Sequence, residues 1–78
     1  MPTLYRTANW KITMYFGDHH PPHFHIVMKD GREALVGLDG LGVIEGAVSS
    51  AALKAARKWA AGNASLLSET WARMQQTR

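Results

Sequence analysis

Strict alternation comes first in this chain and helical spacing second, and that order limits the fold more than any other feature. Trp10, Ile12, Met14 and Phe16 point one way along the run Trp10 to Phe16, while Lys11, Thr13 and Tyr15 point the other. Period two marks a half-buried strand. The run His23 to Lys29 repeats the pattern, with Phe24, Ile26 and Met28 as the apolar set and His23, His25, Val27 and Lys29 as the other. From Ala52 the spacing changes. Ala52, Leu53, Ala56, Trp59 and Ala60 form one helical stripe and Lys54, Arg57 and Lys58 the opposite one. Leu67, Trp71 and Met74 continue at helical spacing, with Leu66 and Thr70 alongside. Strands followed by helices read as α+β. The expected fold is a small antiparallel sheet of three to five strands followed by two C-terminal helices packed on one face.

Turn chemistry divides the pattern further. Asp30-Gly31 lies between two strand-like runs and predicts a two-residue type I′ hairpin. Counting outward from it pairs Lys29 with Arg32, Val27 with Ala34 and His25 with Val36. Leu35 then joins the Phe24/Ile26 face, Val36 sits beside His25, and Glu33 falls on the face opposite His25. Ser49 and Ser50 are N-cap candidates, Gly62 fits the end of the first helix, and Asn63 is expected to cap the second. Expected strands cover about 3–6, 10–16, 23–29, 32–38 and 43–45, and helices about 50–61 and 64–75. Residues 1–78 are read as one domain.

A chain of 78 residues is marginal as an isolated domain. It contains no cysteine, which removes disulfides and thiolate zinc sites. Packing, self-association as a homo-oligomer, or a metal held by histidine and carboxylate remain as sources of stability. Met1 to Arg6 carries no apolar core of a signal peptide, and no run is long enough to span a membrane. A cytoplasmic protein with no membrane contact is expected. The net charge of +3 permits a nucleic acid or acidic partner without demanding one.

The chemistry concentrates in Asp18-His19-His20-Pro21-Pro22-His23-Phe24-His25, which holds all four histidines. His23 and His25 share one strand face, under about 7 Å apart. Two imidazoles in that arrangement suit a metal ion or a general acid/base pair. His19 and His20 lie on the preceding loop, Pro21-Pro22 stiffens it, and Asp18 can orient an imidazole. The plain reading is that the imidazoles are hydrogen-bonded structural or partner-contact groups, and it ranks first. Metal binding by His19, His20, His23 and His25 is one alternative. A third ligand is not obvious, since Asp18, Glu33 and Glu45 are the only carboxylates nearby in sequence. Metal-independent RNA cleavage by His23 and His25 is another, with Lys11, Lys29 or Arg32 stabilising a phosphorane. Whether the chain is an enzyme stays open, and the residues assign no cofactor. Lys54, Arg57 and Lys58 form a basic helix face that is a solvated surface in the plain reading and a nucleic acid or acidic-partner contact in the sharper one.

Met1-Pro2-Thr3, Met14-Tyr15-Phe16, Asp18-His19, Pro21-Pro22-His23-Phe24-His25 and the stretch Gly46 to Trp59 together resemble the bacterial domain of unknown function 4160 family. The resemblance extends over essentially the whole chain and carries no settled activity. It implies a small protein partner resembling the domain of unknown function 2442 family, in a two-protein, toxin–antitoxin-like module.

Overall fold

The computed structural model describes residues 3–15 and 17–75. Five strands, β1 (Thr3–Arg6), β2 (Trp10–Thr13), β3 (His23–Met28), β4 (Glu33–Gly37) and β5 (Val43–Gly46), precede two helices, α1 (Ser50–Ala61) and α2 (Ala64–Met74). The strands form one antiparallel meander in the order β1-β2-β3-β4-β5. The α+β order expected from the change of periodicity is the observed one. The second strand is shorter than expected and stops at Thr13, while Phe16 lies outside the described residues.

The apolar sets explain the layering. Ile12, Met14, Phe24, Ile26 and Val36 from the sheet join Ala56, Ala60, Leu67, Trp71 and Met74 from the helices in one core. Ser49 accepts a hydrogen bond from Ala52 N–H at 3.1 Å and caps α1. Gly62 closes α1 in a right-handed conformation, so its position requires no left-handed backbone. Asn63 does not cap α2 with its side chain. Its Nδ2 donates instead to Trp59 C=O at 2.8 Å, a carbonyl near the end of α1 that also accepts from Gly62 N–H.

The β3–β4 hairpin differs from the expected one by a residue, and the difference propagates. Met28 N–H donates to Arg32 C=O at 2.8 Å, and Gly31 N–H donates to Met28 C=O at 3.0 Å. The loop is therefore Lys29-Asp30-Gly31, with Gly31 at φ +99°. This is a three-residue turn with a left-handed third residue, which places Gly where a Cβ would be strained. Val27 now faces Glu33, Ile26 faces Ala34, His25 faces Leu35 and Phe24 faces Val36. Because the side-chain period is two, a one-residue slip turns every β4 side chain over. Val36 enters the core, and Leu35 and Glu33 join the face of His25.

Gly46 locks the far edge of that hairpin. It pairs with Ala34 and sits at φ +82°. A Cβ there would overlap the Glu33 carbonyl oxygen and approach Ala34 Cα. Gly46→Ala is expected to destabilise the domain by about 2–4 kcal/mol, through strain and backbone overlap together. Urea unfolding measures it. A loss below about 0.5 kcal/mol, the range of an ordinary surface change, would show that the strand end relaxes freely.

Candidate metal centre

Alternation along β3 sends Phe24 and Ile26 into the core and His23 and His25 to the other face. Both histidines are nonetheless buried, at 5% and 8% exposure. Trp71 reaches from α2 to bring its ring within 5.3 Å of His23, and Tyr15 lies edge-on to His25 at 4.5 Å. The histidine face is therefore partly covered by α2 and by Tyr15. Trp71 belongs to the core and also covers one imidazole.

The hydrogen bonds orient the two rings. His23 Nδ1 lies 2.8 Å from Pro21 C=O. A carbonyl only accepts, so Nδ1 carries the proton and donates. His25 Nδ1 lies 2.6 Å from Glu33 Oε2 and donates to it. With the Nδ1 atoms so engaged, both Nε2 atoms lie on the opposite side. Both meet the same atom: Asp18 Oδ2 lies 3.0 Å from His25 Nε2 and 3.4 Å from His23 Nε2. Ligand atoms of Asp18, His23 and His25 all lie within 4.8 Å of one another. Three lone-pair donors converging at that distance repel unless a cation lies among them. A proton on one imidazole serves one pair, whereas a metal ion serves all three.

The spacing fits a metal. With bonds of about 2.0–2.1 Å, ligand atoms stand about 3.0 Å apart in an octahedral arrangement and about 3.3 Å apart in a tetrahedral one. The two Asp18 contacts, at 3.0 and 3.4 Å, are close to these values, and all three atoms lie within 4.8 Å of one another. The Nδ1 partners, a backbone carbonyl and a carboxylate, are the groups that typically orient metal-bound imidazoles.

Tyr15 completes the rim. Burial is the main cause that lifts its phenol above the usual 10.0, and the negative charges of Glu33 and Asp18 push the same way. A raised folded-state value means stability that is intact below the unfolded value and is lost as pH rises through the folded one. The wild type should therefore lose stability above about pH 10 in excess of Tyr15→Phe. Thermal melts of both proteins between pH 9 and 11.5 test this, and parallel curves would contradict it.

The structure redistributes the residues singled out by sequence. Asp18, His23 and His25 converge. His19 and His20 are exposed, and His20 instead sets its ring 5.8 Å from that of Trp71. Pro21 contributes its carbonyl. Pro22 accepts a hydrogen bond from Leu38 N–H at 2.9 Å, which ties the loop to the end of β4. Glu33, placed by the two-residue hairpin count on the face opposite His25, shares that face and pairs with its Nδ1, and Asp18, expected to orient an imidazole, lies 3.0 Å from His25 Nε2. The Lys-Asp-Gly run, whose Gly suits a left-handed third residue, is the signal that points to the three-residue turn. Lys54, Arg57 and Lys58 lie exposed on α1. Arg57 Nε donates to Leu41 C=O at 2.8 Å, where Leu41 holds φ +58°. That residue clamps a strained turn between β4 and β5.

Among the described residues, no helix is long and apolar enough to cross a membrane. A family model described as "Domain of unknown function (DUF4160)" matches residues 9–72, which includes all of Asp18, His23, His25 and Glu33. No curated protein matches the chain. No solved structure matches it either.

Proposed function

Because the chain belongs to the DUF4160 family, whose description assigns no activity, we propose from the geometry that it is a divalent-metal-binding domain with Asp18, His23 and His25 as ligands. The observation that carries this reading is the convergence of Asp18 Oδ2 and two imidazole Nε2 atoms whose Nδ1 protons are already committed to Pro21 and Glu33. Two imidazoles and one carboxylate suit zinc, ferrous iron or a neighbouring transition ion rather than magnesium or calcium. Three protein ligands leave a position for water or a substrate oxygen, as catalytic rather than closed structural metal sites do.

The same geometry argues against metal-independent RNA cleavage. An acid and a base acting across a phosphorane need two accessible nitrogens on opposite sides of it. Here both Nε2 atoms are turned to one carboxylate and both rings are buried.

Untagged protein tests the proposal. One equivalent of Zn²⁺ or Co²⁺ should bind, and the Co²⁺ complex should show the intense visible bands of a low-symmetry site. At a metal concentration of 100 Kd the stabilisation is about 2.7 kcal/mol, which corresponds to a rise in melting temperature of about 10 °C or more for a domain of this size. Asp18→Asn, His23→Ala and His25→Ala should each remove the effect. Metal-free protein that shows no melting shift with Zn²⁺, Co²⁺, Ni²⁺ or Fe²⁺ is incompatible with it.

A second reading, compatible with the first, concerns β5. This edge strand is exposed along its whole length and carries Val43 at 40% and Ile44 at 47% exposure. An apolar open edge is where a protein partner adds a strand. The two-protein module implied by the family resemblance would use this edge. Ile44→Lys should abolish co-purification with a small neighbouring-gene protein of the domain of unknown function 2442 family. Retention of the partner by that variant would count against the edge as its seat.

A further inference from the structure

A second feature lies on the same face of the sheet as the histidines. Arg6 on β1 stands directly opposite Lys11 on β2, and Lys11 stands opposite Val27 on β3. Lys29 follows in the turn after β3, and its N–H donates to Asn9 C=O at 2.8 Å. Arg6, Lys11 and Lys29 line one open groove of about 340 Å³, together with Thr7, Asn9 and Val27. None of the three cations has an ion-pair partner among the described residues. The nearby carboxylates are engaged elsewhere: Asp30 with Arg32 at 2.8 Å, and Glu33 with His25 at 2.6 Å.

This arrangement works against folding. Like charges directly opposite on neighbouring strands destabilise a sheet, and Arg6 opposite Lys11 is such a pair. An unpaired cluster of this kind in a concave site is an anion receptor. A guanidinium beside two ammonium groups matches phosphate, with its multiple oxygens and charge, better than it matches single carboxylates. We propose that the Arg6/Lys11/Lys29 groove binds phosphate groups of a nucleotide ligand, on a single-stranded oligonucleotide or a free nucleotide. The groove does not depend on the metal centre, although the shared face would bring a bound phosphoester towards it.

The test uses the full chain in EDTA, so that a failure of the metal reading does not affect it. Fluorescence anisotropy with a 12-nucleotide single-stranded RNA at 50 mM salt is one arm, and competition by a mononucleotide is the other. Arg6→Gln/Lys11→Gln/Lys29→Gln should weaken RNA binding at least tenfold and flatten its salt dependence. Each phosphate contact removed lowers the log–log salt slope by about 0.7 for a single strand. Lys54→Gln/Lys58→Gln on α1 should leave binding unchanged. Arg6→Gln alone should weaken binding while raising the melting temperature, an outcome that loss of a structural residue would not give. Displacement by millimolar mononucleotide would identify the free nucleotide as a ligand, and resistance to it would identify the strand; either supports the groove. Should the triple variant fold poorly, Arg6→Gln/Lys29→Gln, at two exposed positions, replaces it. Unchanged binding by the groove variants, loss of binding only in the α1 variant, no RNA binding by the wild type, or equal affinity for a poly-glutamate peptide would each overturn the proposal.

Discussion

Phe24→Ala is expected to cost about 3–5 kcal/mol, the range for truncating a fully buried aromatic side chain. Phe24 is completely buried and is the largest such side chain in the core. A domain of this length has a total stability of about 4–12 kcal/mol, so the change threatens folding outright. The consequence for the site follows from sequence position. Phe24 lies between His23 and His25 on one strand, and its seat in the core fixes the height and twist of the strand that presents both imidazoles. Metal binding should be lost together with the fold. Phe24→Leu refills most of the volume and should recover both in large part. Chemical denaturation of the two variants, with Zn²⁺ titration of each, checks this. A Phe24→Ala protein that keeps wild-type stability would mean that the helices do not pack as described. One that folds and binds metal normally would mean that the strand does not need this anchor.

Glu33→Gln is expected to lower metal affinity about 10–100-fold, the usual effect of removing a group that orients a metal-bound histidine, while leaving the fold intact. Glu33 receives the Nδ1 proton of His25 at 2.6 Å, which fixes the tautomer and makes Nε2 the better donor. Its side chain is 42% exposed, so the substitution disturbs no packed core. Glutamine keeps an acceptor but loses the charge that strengthens the bond. The pattern separates orienting groups from ligands: Asp18→Asn removes binding, whereas Glu33→Gln weakens it. Isothermal titration with Zn²⁺ provides the readout. Equal affinity in wild type and Glu33→Gln would assign the His25–Glu33 contact to structure alone.

Much of this architecture is legible in the chain. Alternation in Trp10 to Thr13 and His23 to Met28, the turn residues, and the stripes from Ala52 to Met74 dictate strands and helices through local sterics and burial, which depend on near neighbours. The pairing of His23 with His25 on one face follows from the same period. The family match over residues 9–72 adds membership without adding chemistry.

Register was not legible, because Asp30-Gly31 supports a two-residue turn and Lys29-Asp30-Gly31 supports a three-residue one. Leu35 and Val36 are both apolar, so β4 reads acceptably with either face inward. Local pattern set the elements, their order and the shared strand face of His23 and His25. Packing across the sheet and from α2 brought Asp18, Glu33 and Trp71 to the two rings. Asp18 reaches the imidazoles by a loop path, and Trp71 reaches His23 from α2. Glu33 faces His25 only because packing Ala34 and Val36 beneath the helices selects one of two registers. A period of two makes that choice binary, and burying the β4 side chains in the core settles it.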